Sequence, residues 1–183
     1  MVLILFTGLS GSGKTSLAIS VKKLLIKNGL DAELIDGDIH REKFCKDLGF
    51  SKEDRYESIR RLFSIGEDLV KSKKIVLMSV INPYEDLRNE LKKNSFVKLV
   101  YLDCLIENLI ERDPKGLYKK ALLPEGDLNK IENFTGISHV FEVPKKVDLK
   151  LKTDIESLEF STKKLFNFII TSLENDKKTY NID

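Results

Sequence analysis

An apolar run, Val2 to Phe6, leads directly into Gly8-Leu9-Ser10-Gly11-Ser12-Gly13-Lys14-Thr15, and a helical spacing of apolar residues begins at once behind it. This matches G-x-x-x-x-G-K-[ST] in full. Glycines let a backbone wrap closely round a phosphate, successive N–H groups point inward, and the following helix adds its positive end. Gly8, Ser10, Gly11, Ser12 and Gly13 are therefore expected to cradle the phosphates of ATP. Lys14 should reach the β and γ phosphates, and Thr15 should offer its hydroxyl to Mg²⁺, an ion that takes oxygen ligands.

The rest of the chain repeats the strand-then-helix rhythm of that opening. Apolar, partly β-branched runs recur at Ala32–Ile35, Ile75–Val80, Val97–Leu102 and Val147–Leu151. Helical spacing fills Thr15–Lys27, Lys52–Lys71, Glu85–Lys93, Ile106–Arg112 and Ile155–Leu173, with Ser51 and Asp154 placed as N-caps. The pattern predicts an α/β fold: a parallel five-stranded sheet covered by helices on both faces. Between Asp113 and Pro144 lie three prolines, several glycines and no clear strand, which is long for a bare connection. That stretch, about residues 112–144, is read as a mobile lid within a single domain spanning 1–183, with a polar, frayed tail after Leu173.

Composition narrows the function by what it disfavours. The 183 residues carry 31 basic and 29 acidic side chains, interspersed, for a net charge of +2. No strong field favours a nucleic acid or membrane surface as partner, while small anionic substrates fit. Cys45 and Cys104 have no metal-ligand spacing and read as reduced thiols. The apolar start lacks a basic flank and is too short to span a bilayer, so a cytoplasmic protein is expected.

A phosphate loop alone does not define a reaction, since it serves switches, motors and kinases alike. The second strand ends in Asp36-Gly37-Asp38, read as a turn, where parallel strands deliver side chains to the crevice beyond their carboxyl ends. One carboxylate could accept the proton of an attacking hydroxyl and the other could hold Mg²⁺ or its waters. Which of Asp36 and Asp38 does which stays open at this point, with Asp36 and Thr15 as the candidate metal ligands.

With the loop and this turn, the blocks Leu48-Gly49-Phe50-Ser51, Glu53-Asp54-Arg55, Ile59-Arg60-Arg61, Asp113-Pro114-Lys115-Gly116-Leu117-Tyr118 and Asn133-Phe134-Thr135-Gly136-Ile137 make the chain resemble the adenylyl-sulfate (APS) kinases over nearly its whole length. The resemblance implies a P-loop kinase, commonly dimeric, that moves the γ-phosphoryl of MgATP to the ribose 3′-hydroxyl of APS. It further implies that Arg41 and Arg55 grip the anionic 5′ group, that Phe50 and Phe134 sandwich the base, that Lys115 approaches the substrate and that Arg112 lies near the ATP base. Asp38, Ser58, Ile81 and Asn82 fall at substrate-side positions of the same pattern.

Departures from that pattern cluster on the acceptor side. Ile39 stands where the family has asparagine, Ser58 where it has another asparagine, and Asn82 where some members carry a phosphorylated serine. The lid is also several residues longer than usual between Ala121 and Phe134. A shifted acceptor is one reading, and cytidine diphosphoramidate, phosphorylated by a relative in the pathway to capsule phosphoramidate, stands as the alternative. A non-catalytic nucleotide-binding regulator and a sugar kinase are the competing classes; the first leaves Lys14, Thr15, Asp36 and Asp38 without purpose, the second leaves the paired phenylalanines unexplained. His40 is expected near the substrate and His139 on the flap surface.

Overall fold

The computed structural model describes residues 1–180, with side chains through Asn175. Its elements run β1 (Leu3–Thr7), α1 (Lys14–Lys27), β2 (Ala32–Asp36), α2 (Gly37–Phe44), α3 (Lys52–Lys71), β3 (Ile75–Ser79), α4 (Glu85–Leu91), β4 (Val97–Asp103), α5 (Ile106–Arg112), α6 (Leu117–Ala121), β5 (Leu149–Lys152) and α7 (Leu158–Tyr180). The five strands form one sheet in the order β2-β3-β1-β4-β5, and every pairing is parallel.

Strand periodicity divides the core into two layers. From β1 and the residue before it, Val2, Ile4 and Phe6 pack with Leu17, Val21, Leu165 and Ile169 from α1 and α7. The alternate residues Leu3 and Leu5 pack with Ile59, Leu62, Phe63 and Leu87 from α3 and α4. Both faces of β1 are therefore buried, which is why it reads as a continuous apolar run without alternation. Gly66 lets α3 lie close on the sheet: a Cβ there would stand 2.7 Å from Leu3 Cδ1.

The order in which strands are added reverses beside β1. From β1 the chain crosses toward β2 on one side, and from β4 it runs on to β5 on the other. Parallel sheets open a crevice at such a point, beyond the carboxyl ends of the strands. The glycine loop after β1 fills it.

Several expectations need correcting at the boundaries. Asp36-Gly37-Asp38 is the start of α2, whose eight residues include none that is buried, so no apolar stripe announced a helix. The lid segment contains α6, a single short turn of helix capped by Asp113 oxygens that accept from the Tyr118 and Lys119 amides at 3.1 and 2.9 Å. Asp154 does not cap α7. Residues after β5 first fold back through Glu156 N–H donating to the Lys152 carbonyl at 2.8 Å, and Ser157 Oγ then accepts from Phe160 N–H at 3.1 Å. The α7 backbone stays helical past Leu173 to Tyr180; the last part of the expected tail, 181–183, lies outside the described residues.

Among the described residues no helix is long and apolar enough to cross a membrane. Ser51 does cap α3, accepting from Asp54 N–H at 3.1 Å. Replacing Ser51 or Ser157 by alanine is expected to lower unfolding free energy by about 1 kcal/mol each. Asp154→Ala should stay within about 0.5 kcal/mol; urea denaturation of the three variants checks the assignment.

Candidate active site

The phosphate loop is held open by backbone conformations that favour glycine. Gly11 and Gly13 have φ of 75° and 90°, and a Cβ on Gly8 would stand 2.7 Å from the Leu102 carbonyl oxygen. Gly13 is the N-cap of α1, where neither a side-chain cap nor an acidic first-turn residue occupies the amides. That leaves the positive end of a 14-residue helix facing the loop, ready for an anion. Lys14 Nζ curls over the loop and donates to the Gly8 and Leu9 carbonyls at 2.9 and 2.6 Å.

Asp36 ties this loop to the next strand. One carboxylate oxygen accepts from the Thr15 hydroxyl at 2.6 Å; the other accepts from Asp38 and Ile39 N–H at 3.0 and 3.2 Å and so caps α2. Ser79, at the end of β3, adds its hydroxyl 3.3 Å from that of Thr15. Asp38 is different in kind. It is exposed and forms an ion pair with Lys115 from the lid segment.

These groups line one cavity of about 450 Å³. Its far wall is aromatic and basic. Arg41 lies 4.5 Å and Arg55 5.7 Å from the Phe50 ring centre, so two guanidinium groups flank one face-exposed phenylalanine. Phe134 packs edge-on to Tyr118, with ring centres 5.0 Å apart. Arg55 also donates to the Phe50 carbonyl at 3.0 Å, to Thr135 Oγ1 at 3.0 Å and to the Asn133 carbonyl at 2.6 Å. Burial, reinforced by the Arg41 charge and partly offset by Tyr84, depresses the Arg55 guanidinium below its ordinary value, which a bound anion would relieve.

Residues 1–152 match the family model described as adenylylsulphate kinase. The adenylyl-sulfate kinase of Chloroflexus aurantiacus is 46% identical over 154 residues, covering 84% of this chain and 80% of its own. That of Buchnera aphidicola subsp. Schizaphis graminum is 40% identical over 187 residues, covering 98% and 85%. Among solved structures, the Mycobacterium tuberculosis APS kinase in complex with AMPPNP and APS superposes with a TM-score of 0.85 at 35% identity, over 92% of this chain and 96% of that one. The chain belongs to the adenylylsulphate kinase family.

Within that family frame, the residues singled out from sequence separate by location. Ser10, Gly11, Gly13, Lys14 and Thr15 of the phosphate loop and α1 line the cavity. Arg41, Phe50, Arg55, Ser58, Ile81, Asn82 and Phe134 line it as well. Gly8 and Ser12 stand behind the loop as its frame, with Ser12 fully buried. Arg112 lies away from the cavity: its guanidinium donates to the Thr153 carbonyl at 3.2 Å and rests 3.7 Å from Cys104 Sγ. Of the three family departures, Ile39 is 66% exposed and outside the cavity wall, whereas Ser58 and Asn82 are buried in it.

His139 is also not a surface residue. It is half-buried, with Nε2 2.5 Å from the Tyr84 hydroxyl, and burial together with the nearby Arg55 charge lowers its pKa.

Three positioning contacts escaped the sequence reading. Tyr118 donates its hydroxyl to the Ser10 carbonyl at 2.9 Å, joining α6 to the phosphate loop. Burial pushes that hydroxyl up to about 12, so it remains a donor. Thr135 is buried beneath Arg55. Arg88 is fully buried on α4 and donates to Glu85 at 2.7 Å and to the Asn82 carbonyl at 2.7 Å, with a further bond to the Glu142 carbonyl at 2.5 Å. An arginine within a charged helix reads as a surface residue, and only the tertiary fold reveals its carbonyl partners.

Burial lowers Lys14 to about 8, with Lys115 adding to the effect and Asp38 and Asp36 opposing it. A polyphosphate beside Lys14 restores the charged form, so binding must take up a proton wherever the free lysine is neutral. Titrating ATP at pH 9 in buffers of different ionisation enthalpy should reveal proton uptake approaching one. At pH 6.5 the uptake should vanish because Lys14 is already charged, and affinity should weaken as pH rises above about 8. Lys14→Ala should abolish the uptake at every pH.

Proposed function

We propose that this protein is an ATP-dependent nucleotide 3′-kinase, transferring the γ-phosphoryl of MgATP to the ribose 3′-hydroxyl of adenylyl sulfate to give PAPS and ADP. The observation that carries this reading is the shared cavity: the phosphate loop at one end, the Phe50–Phe134 and Arg41–Arg55 set at the other, and Asp38 with Lys115 between them. The loop holds ATP with its γ-phosphate toward Lys14. Phe50 and Phe134 stack the acceptor base, while Arg41 and Arg55 take its anionic 5′ group. The 3′-oxygen attacks the γ-phosphorus, the bond to the β–γ bridging oxygen breaks, and ADP leaves.

The donors around Thr15 fit Mg²⁺. A hydroxyl and a carboxylate, Thr15 and Asp36, sit 2.6 Å apart, and both are hard oxygen ligands. Among the described residues no three His, Cys, Asp or Glu side chains converge, which suits an ion that keeps waters and phosphate oxygens in its shell. When bound, the ion neutralises charge on the transferring phosphates.

The hydrogen bonding supports different roles for the two aspartates. Both Asp36 oxygens are engaged, one by Thr15 and one by α2 amides, so it acts as a ligand and scaffold. Asp38 is free of the backbone and accepts the 3′-hydroxyl proton once Lys115 turns to the substrate anion. The lid of about residues 112–144 closes over the donor, excluding water that would otherwise hydrolyse ATP. A homodimer in the cytoplasm completes the reading, and sedimentation of the purified protein tests the dimer.

The alternative acceptor, cytidine diphosphoramidate, would stack its pyrimidine between the same rings, and it is raised by the family departures Ser58 and Asn82 in the cavity wall. ADP release from MgATP with each acceptor, with the product checked for a 3′-phosphate, decides between them. Transfer to neither, with nucleotide still bound tightly, overturns the kinase reading in favour of a regulator. Asp38→Asn should reduce kcat by about 10²- to 10⁴-fold with little change in the KM for ATP. Asp36→Asn should instead raise the Mg²⁺ concentration needed for activity and destabilise the fold, measured by metal titration and thermal unfolding.

A further inference from the structure

Among the described residues, three carboxylates line the cavity, those of Asp36, Asp38 and Glu132, and two of them are occupied. Asp36 accepts from the Thr15 hydroxyl and from two α2 amides, and Asp38 pairs with Lys115. Glu132 is exposed, and among the described residues its side chain has neither a hydrogen bond nor an ion pair. A carboxylate so placed is answered only by solvent or by what the cavity binds.

Its backbone is held on both sides. The Ile131 amide donates to the Lys120 carbonyl at 3.3 Å, and the Asn133 carbonyl accepts from Arg55 at 2.6 Å. Glu132 thus stands one residue from the Arg55 anchor without pairing with Arg55 or with Arg41. Both guanidinium groups donate to neutral oxygens instead: Arg41 to the Leu48 and Gly49 carbonyls, Arg55 to the Phe50 and Asn133 carbonyls and to Thr135 Oγ1. Two cations and one anion face the same cavity with their charges uncancelled.

The signs matter for a nucleotide whose 5′ group is gripped by Arg41 and Arg55. Two guanidinium groups alone would favour the more negative terminal group, because each added charge gains Coulomb energy. The terminal sulfate of adenylyl sulfate carries one negative charge, as does the terminal phosphoramidate of cytidine diphosphoramidate. A terminal phosphate, with its second pKa near about 6, carries nearly two at pH 8. Nucleoside diphosphates, including the ADP that the reaction itself releases, would therefore outbind the acceptor in a site lined by those cations alone.

We propose that Glu132 is a specificity-determining residue that discriminates by charge: it repels the second negative charge of a terminal phosphate and so selects acceptors whose 5′ terminal group is singly charged. This inference rests on the nucleotide 3′-kinase reading above and deepens it. Selection of this kind comes from a repulsion placed against the competitor, with no new contact to the favoured ligand. A carboxylate suits the task because it offers acceptors only, so a phosphate oxygen gains no hydrogen bond from it. Sulfate and phosphoramidate share the favoured charge, and separate arms of the test tell them apart.

Calorimetry with the phosphate loop filled by excess MgAMPPNP compares adenylyl sulfate with ADP, and cytidine diphosphoramidate with CDP. The members of each pair are alike in shape and differ in terminal charge. Wild type should bind the singly charged member of at least one pair no more weakly than its diphosphate partner. In Glu132→Gln, which keeps the shape and removes the charge, preference should shift toward the diphosphate by about 5- to 30-fold, chiefly through tighter diphosphate binding. Glu132→Asp, which keeps the charge, should stay within about threefold of wild type.

A wild-type preference for the diphosphate in both pairs, a ratio that Glu132→Gln leaves unmoved, an equal change for both members of a pair, or no binding of any of the four would overturn the proposal. If Glu132→Gln does not fold, Glu132→Ala supplies the neutral variant. The adenosine and cytidine arms identify which acceptor is selected. ADP release is scored separately: charge selection without transfer would sink the kinase reading and leave the role of Glu132 standing, and transfer with an unmoved ratio would do the reverse.

Discussion

Both oxygens of the Asp36 carboxylate are in use, and the shape of the site follows from that double engagement. Through one oxygen it holds the Thr15 hydroxyl, and so the first turn of α1; through the other it caps α2. Two helices that start beyond neighbouring regions of the sheet are thereby locked to the end of β2. The phosphate loop cannot shift without breaking a bond to Asp36, and α2 cannot shift without uncapping. Arg41 rides on α2, so the position of the acceptor-side guanidinium is set by a carboxylate on the donor side.

This arrangement depends on a register that the parallel sheet supplies. Phe6 and Asp36 are both paired with Ser79, one from each flanking strand, so the ends of β1, β2 and β3 are level. Ser79 and Asp36 reach Thr15 because of that levelling, as the 3.3 and 2.6 Å contacts record. Packing on both faces makes the level hard to change: a slip by one residue would exchange the Leu3–Leu5 layer for the Val2–Ile4–Phe6 layer. Core packing and site geometry are thus a single constraint.

The parts legible from sequence are those in which one residue type answers one local demand. Glycine at left-handed positions, a lysine and threonine behind them, and buried β-branched runs all announce themselves, and the sheet and loop follow. The short α2 did not, because a helix with no buried residue has no apolar period to read. The α7 start was misplaced because Asp154 and Ser157 are both competent caps, and the choice depends on the turn that follows β5. Arg88 and Tyr118 could not be found at all: their partners are backbone carbonyls 6 and 108 residues away, and any residue type presents a carbonyl. Arg112 shows the reverse limit. A family motif placed it by the donor base, while its guanidinium in this structure rests on Thr153.

Arg55 ties the start of α3 to the segment at 133–135. A guanidinium carries five N–H donors, and the bonds to the Phe50 and Asn133 carbonyls and to Thr135 Oγ1 use one on each of its three nitrogens. One N–H then remains on each terminal nitrogen. The same segment continues to His139, which meets Tyr84, and to Glu142, which is held by Pro83, Glu85 and Arg88. Asn82 belongs to this second anchor through its carbonyl. The end of the cavity read above as the acceptor side is therefore gripped from two sides by residues 133–142, so side chains such as Ser58 and Asn82 can change while these backbone contacts stay intact. Both differ from the family pattern in the side chain, and Asn82 keeps its carbonyl in the network, which is where a pocket tied to its lid has room to vary.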